Sequence, residues 1–87
     1  MANYQIEFLP TAQKELASLP KQMQQRVAAK LEQLKADPYI PGVKALKNGG
    51  GRLRLRIGNY RIIYRIEPDR LVILVVKVGH RRDVYRE

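Results

Sequence analysis

The chain has 87 residues, enough for one small domain with a modest core. It contains no cysteine, which excludes disulfides and thiolate metal sites and is compatible with a reducing cytoplasm. Seventeen Lys and Arg against eight Asp and Glu give a formal net charge of +9, which favours a polyanionic partner. No apolar run is long enough to span a membrane, and the first residues lack the features of a signal peptide, so no membrane association is predicted.

The first half of the chain predicts one strand followed by two helices. Residues 4–8 alternate and are rich in strand formers. Pro10 is typical of a helix start, and Pro20 separates that short helix from a second one. Asp37 precedes a proline and therefore ends the second helix. The apolar residues of this helix are spaced by four, four and three positions and form one stripe: Met23, Val27, Leu31 and Leu34.

Residues 38–51, PYIPGVKALKNGGG, predict a loop, because two prolines and four glycines interrupt regular structure at both ends. The next stretch, RLRLRIGNYRIIYR at residues 52–65, predicts a β-hairpin with Gly58-Asn59 as a two-residue turn. In that register Ile57 faces Tyr60. The further predicted pairs are Arg56 with Arg61, Arg54 with Ile63, and Arg52 with Arg65.

Alternation along the two hairpin strands divides their side chains between two faces of a sheet. One face is apolar and suits a core beneath the helices: Leu53, Leu55, Ile57, Tyr60, Ile62, Tyr64 and Ile66. The other face, called the arginine face below, carries Arg52, Arg54, Arg56, Arg61, Ile63 and Arg65.

The rest of the chain predicts a turn at residues 67–70, a strand at 71–78 with apolar side chains on both faces, and a polar tail after Gly79. The expected fold is a small α+β domain spanning residues 1–87. Its element order is β-α-α-β-β-β, with an antiparallel sheet and a helical hairpin packed on one face.

The arginine face has to be explained, because like charges on neighbouring strands repel. Residues 52–87 hold ten basic and four acidic side chains, and nine of the ten are arginine, which binds phosphate through a planar fork. A solvated face screened by salt would be the simplest explanation. We instead predict that nucleic-acid phosphates neutralise the arginine face. The predicted RNA-binding residues are Arg52, Arg56, Arg65 and Arg82.

The polar tail holds the remaining chemically active side chains. His80 is the only histidine, and beside several arginines it is a candidate proton shuttle. Tyr85 would either stack on a base or pack the chain end onto the sheet. The sequence has no HExxH motif, P-loop or cysteine nucleophile, so no metal or cofactor is predicted. Chemistry open to such a site is RNA cleavage by the internal 2′-hydroxyl, which needs orientation, positive charge and proton transfer.

Two segments, RLRLRIGNYRIIYRI and LVILVVKVGHRRDVYR, resemble the RelE/ParE superfamily of bacterial toxins, on the RelE side. The opening IEFLPTAQKELASLP resembles the same family. The resemblance implies a ribosome-dependent endoribonuclease that cuts mRNA in the ribosomal A site, acts in the cytoplasm and is neutralised by a cognate RelB-like antitoxin. It assigns function to these positions: Arg52, Arg54, Arg61, Arg81 and Tyr85.

One departure from the family pattern concerns proton transfer. Relatives often carry lysine where this chain has Arg52 and Arg54. Arginine keeps its proton and is a poor acid or base, so His80 or Tyr85 would have to carry more of the proton transfer.

Two other functions stay open at this point. A ParE-like protein would share the fold and poison DNA gyrase without cutting RNA, and an inactive relative would keep only antitoxin binding. The combination of Arg81 and Tyr85, beside the arginine face, favours a RelE-like endoribonuclease over a ParE-like protein.

Overall fold

The computed structural model describes residues 3–47 and 50–80. In chain order the elements are β1 (Gln5–Phe8), α1 (Pro10–Ala17), α2 (Lys21–Ala36), β2 (Val43–Ala45), β3 (Leu53–Ile57), β4 (Tyr60–Glu67) and β5 (Val72–His80). The predicted start of α1 and the end of α2 before Asp37-Pro38 are confirmed. Within these residues, no helix combines the length and the apolar character needed to cross a bilayer.

The strands form one sheet in the order β1-β5-β4-β3-β2. The predicted antiparallel run of β3, β4 and β5 is confirmed, and β1 pairs in parallel with the other side of β5. β5 therefore lies inside the sheet, which accounts for its apolar residues on both faces.

The prediction of a loop throughout residues 38–51 is wrong at β2. This strand pairs antiparallel with β3, joining Val43 to Leu55 and Lys44 to Arg54. A three-residue strand carries almost no periodicity of its own, and here it follows Pro41-Gly42. The neighbouring edge of β3 supplies the hydrogen bonds that stabilise it, and no local sequence pattern reports such a partner.

Both helices pack on one face of the sheet, as predicted. The stripe of α2 is buried at Val27, Leu31 and Leu34. These side chains join one apolar cluster with residues from the sheet: Leu55, Ile57, Ile62, Tyr64, Ile73, Val75 and Val78. The opposite face of the sheet is therefore left uncovered by the helices, and the arginine face lies there.

Tyr64 ties the segment after α2 to the sheet. Its side chain is fully buried, and its hydroxyl donates a hydrogen bond to the Pro38 carbonyl oxygen at 2.6 Å. Burial raises the pKa of the Tyr64 phenol, with smaller contributions from Tyr39 and Asp37. The phenol is thus held neutral as a structural hydrogen-bond donor.

Candidate nucleic-acid interface

The hairpin has the predicted turn and register. Gly58 has a φ of +59°, and a Cβ there would lie 3.2 Å from Nη1 of Arg26, so glycine suits both the turn and its contact with α2. Ile57 pairs with Tyr60, Arg56 with Arg61, and Arg54 with Ile63. The predicted pair of Arg52 and Arg65 lies beyond the paired residues, because β3 begins at Leu53.

Exposure across the arginine face is uneven. Arg61 is only 6% exposed, and its neighbour Ile63 is 2% exposed. Arg56 is exposed, and Arg52 and Arg54 are half-buried. The guanidinium at the centre of the face, that of Arg61, is therefore nearly buried, and the arginines around it are more exposed.

The position of Arg61 is suited to stabilising a developing negative charge. A buried guanidinium costs desolvation free energy and is tolerated when polar groups surround it. The Nη1 of Arg61 donates to the carbonyl oxygen of Tyr60 at 3.4 Å. A cation that is oriented before the substrate arrives needs little reorganisation during the reaction.

A row of paired residues extends the arginine face across four strands. Lys44 of β2 pairs with Arg54, Arg54 pairs with Ile63, and Ile63 pairs with Lys77 of β5. Because paired residues share a face, Lys44 and Lys77 belong to the arginine face. Sequence reasoning missed Lys44, since its segment was interpreted as a loop, and missed Lys77, which lies inside an apolar run.

The other end of the arginine face is neutralised by carboxylates. Nη2 of Arg65 lies 3.3 Å from Oε2 of Glu67. Arg70 bridges two carboxylates, with Nη1 2.8 Å from Glu67 and Nη2 3.1 Å from Glu7. These carboxylates raise the pKa of Arg70, Glu7 contributing most. The prediction that nucleic-acid phosphates neutralise the arginine face is therefore wrong at Arg65, because Glu67 of the same strand already pairs with it.

His80 lies on the sheet face opposite to the arginine face. The register pairs His80 with Tyr60, and the two rings meet edge to face with centroids 5.6 Å apart. Gly79, the residue before His80, is the one that pairs with Arg61. Both rings line a shallow pocket together with Ser18 and Leu19, on the helix side. The expectation that His80 lies beside the arginines of the hairpin is corrected accordingly.

Glu15 of α1 closes the open edge of β5, a contact that the sequence did not reveal. The parallel pairing with β1 ends at Val75, and within residues 3–47 and 50–80 no other strand pairs with the last part of β5 on that side. There the amide of Val78 donates to Oε1 of Glu15 at 3.0 Å, and Nζ of Lys77 lies 3.8 Å from Oε2. The carboxylate thus fixes the end of β5 that leads to the predicted tail residues.

Three predicted site residues lie outside the described residues: Arg81, Arg82 and Tyr85. Within residues 3–47 and 50–80, no three His, Cys, Asp or Glu side chains are grouped so as to hold a metal ion. The structure thus brings together Arg54, Arg56 and Arg61 on the sheet face that the helices do not cover, with Lys44 at its edge. Lys77 starts from the same face, but its ammonium pairs with Glu15 of α1, and Arg52 lies just before the paired residues of β3.

The fold is shared with RelE toxins of known structure. The toxin-antitoxin complex RelBE2 of Mycobacterium tuberculosis contains a chain that matches with a TM-score of 0.79 and 28% identity, covering 91% of this chain and 99% of that chain. The archaeal RelE-RelB complex of Pyrococcus horikoshii matches with a TM-score of 0.78 and 28% identity, covering 98% and 99%. The class defined by this fold is the small α+β toxin of the RelE/ParE superfamily.

Sequence comparison identifies the family. The profile of the ParE toxin of type II toxin-antitoxin systems, parDE, matches residues 6–85. A RelE-like toxin protein of Escherichia coli is 37% identical over 86 residues, which cover 94% of this chain and 90% of that protein. Toxin RelG of Mycobacterium tuberculosis is 31% identical over 87 residues, which cover 95% and 97%. The chain therefore belongs to the ParE toxin family of type II toxin-antitoxin systems, and the relatives it matches carry RelE names.

Proposed function

We propose that this toxin is a ribosome-dependent, metal-independent endoribonuclease that cuts mRNA in the ribosomal A site. The observation that supports this most is the gathering of Lys44, Arg54, Arg56 and Arg61 on the one sheet face that the helices leave open. A cationic face of this kind suits an RNA backbone, which offers a regular series of phosphates. The RelE names of the relatives support RNA cleavage over other uses of such a face.

The reaction is an internal transfer at phosphorus. The 2′-oxygen of one nucleotide attacks the adjacent phosphorus, the bond to the 5′-oxygen of the next nucleotide breaks, and a 2′,3′-cyclic phosphate is formed. One group must accept the 2′-hydroxyl proton, and one must supply a proton to the leaving oxygen. Arg61 and Arg81 are assigned to the charge that builds on the phosphoryl oxygens, since arginine holds charge but does not exchange protons.

Proton transfer is assigned to Tyr85 in preference to His80. The ring of His80 packs against Tyr60 on the helix side, whereas the scissile phosphate would lie over Arg61 on the other face. Arg52, Arg54 and Arg56 hold neighbouring phosphates. Further phosphate contacts from Arg65 and Arg82 stay part of the proposal, with Arg65 the weaker because Glu67 already binds it.

The ribosome is required because the isolated site lacks a strong general base. Orientation of the 2′-hydroxyl in line with the scissile bond can supply much of the missing rate, and a message held in the A site provides that orientation. Free RNA should therefore be cut poorly.

A RelB-like antitoxin is the expected partner in the cytoplasm. Solved structures of relatives are complexes of RelE with RelB. For this chain, an acidic segment that covers the arginine face would neutralise the toxin, and part of the segment would fold on binding.

Poisoning of DNA gyrase is the second candidate function, because the matching family profile is named for ParE. Such a protein would use the same fold and would leave message intact.

Expression with and without a cognate antitoxin separates these functions. Primer extension on translated message should show new 5′ ends in cells that express the toxin alone, and the ends should disappear when the antitoxin is present. Intact message together with inhibited gyrase would support the second function. A chain that is harmless at high expression, with intact message and active gyrase, would leave only an inactive relative.

A further inference from the structure

Lys44 lies at the sheet edge that bounds the arginine face. It is the middle residue of the edge strand β2, and it pairs with Arg54. Its side chain is exposed, and it forms no ion pair within residues 3–47 and 50–80. Its strand neighbours Val43 and Ala45 are apolar, so β2 itself provides no carboxylate.

The surroundings of Lys44 differ from those at the other end of the face. Around Arg65 and Arg70 the carboxylates of Glu7 and Glu67 neutralise the arginines. Lys44 instead has a cation, Arg54, as its direct cross-strand partner, and like charges placed so are destabilising. An anion that lies between the two side chains would turn this repulsion into attraction.

We propose that Lys44 binds a phosphate of the mRNA on the far side of Arg54 from the scissile linkage. This inference rests on the proposed function. Two strand spacings and a two-residue step separate Lys44 from Arg61, about 12 Å between Cα atoms in standard sheet geometry. Arg54 lies between Lys44 and Arg61 in the sheet, so we place the phosphate bound by Lys44 on the side of Arg54 away from Arg61. The ammonium of Lys44 acts there as a point charge that strengthens binding.

A lysine on an edge strand has a simpler use, which the test must separate. Edge lysines prevent a sheet from pairing with another edge and so limit aggregation. Lys44→Ala and Lys44→Gln both remove the charge on which that role depends, and Lys44→Gln alone keeps a long polar side chain. Size-exclusion chromatography must therefore show that each variant elutes as wild type does. Both variants are therefore compared, and their folding is checked by circular dichroism and thermal unfolding.

Single-turnover cleavage on ribosomes programmed with a defined message measures binding and rate separately. In Lys44→Gln the toxin concentration for half-maximal rate should rise roughly two- to fivefold, as for one exposed ion pair. The rate at saturation should stay unchanged. The matched control is Lys21→Gln, an exposed lysine on α2 on the helix side of the sheet, and it should behave as wild type. Lys44→Arg keeps the positive charge and should bind as tightly as wild type.

A message with one methylphosphonate linkage at a time identifies the phosphate. A methylphosphonate removes the negative charge of a single linkage. When it replaces the phosphate that Lys44 binds, wild type and Lys44→Gln should bind the message equally well, and that linkage should not be the scissile one. At every other linkage the difference between wild type and Lys44→Gln should persist. Equal effects at every linkage would overturn the proposal and point to ribosomal RNA as the partner of Lys44. A Lys44→Gln enzyme indistinguishable from Lys21→Gln would overturn it as well. A wild-type protein that leaves the message intact would instead refute the proposed function and, with it, this role.

Discussion

Replacing Arg61 and Arg65 by alanine, one at a time, tests whether the arginine face is divided into a working end and a neutralised end. Arg61 is 6% exposed and centrally placed. Losing one preorganised charge-stabilising group typically lowers the rate by about 10²–10³, or about 3–4 kcal/mol of transition-state stabilisation. The side chain of Arg65 is 48% exposed and already binds Glu67 at 3.3 Å. Its loss should lower the rate by less than about fivefold.

The two variants control for each other, because each removes one positive charge from the same strand. Any general loss of attraction to RNA is therefore shared, and the difference reports the local role. Single-turnover cleavage on programmed ribosomes is the assay, with thermal unfolding to confirm the fold. Arg61→Lys, which keeps the charge without the planar fork, should fall between wild type and Arg61→Ala. Equal losses in the two alanine variants would refute the division of the face.

Three further predictions concern the groups that support the site. Tyr64→Phe should lower the free energy of unfolding by about 1–3 kcal/mol at neutral pH, because it leaves the buried carbonyl of Pro38 without its donor. Burial raises the pKa of Tyr64 in the folded state, so its contribution to the free energy of unfolding is complete below pH ~10 and falls as the pH rises further. In urea unfolding measured across pH, Tyr64→Phe should therefore lose less stability at alkaline pH than wild type does. Glu15→Ala should cost about 1–2 kcal/mol in the same assay, while Glu15→Gln should cost less because its carbonyl still accepts from Val78. His80→Gln should keep the cleavage rate within about tenfold of wild type, and a loss as large as that of Arg61→Ala would contradict its placement away from the reaction.

Local patterns were sufficient to predict the elements that carry their own signals. The spacing of apolar residues predicted α2, and Gly58-Asn59 predicted the turn. That turn set the hairpin register, which in turn placed Arg54, Arg56 and Arg61 on one face. The central part of the candidate site therefore followed from a few residues around one turn.

Features that depend on contacts distant in sequence were not predictable in this way. β2 exists because β3 offers it an edge, so Lys44 could not be placed from its own segment. The parallel pairing of β1 with β5 brings Glu7 to Arg70 across 63 positions of sequence. The side of the sheet on which His80 lies depends on an irregularity in the pairing of β4 with β5, between Ile63 and Tyr64. A residue added or removed from a strand moves the following side chains to the other face, so counting along β5 alone could not locate His80.

The central claim is that the ribosome and the arginine face act together to cut mRNA. One message, offered to the purified toxin first free and then bound in programmed ribosomes, tests this most directly, with the 5′ ends mapped and the 3′ ends analysed for a 2′,3′-cyclic phosphate. We predict cleavage in the A site only on the ribosome, with the cyclic product, and its near-complete loss in Arg61→Ala. Equal cleavage of the free message, or unchanged cleavage in Arg61→Ala, would contradict the account.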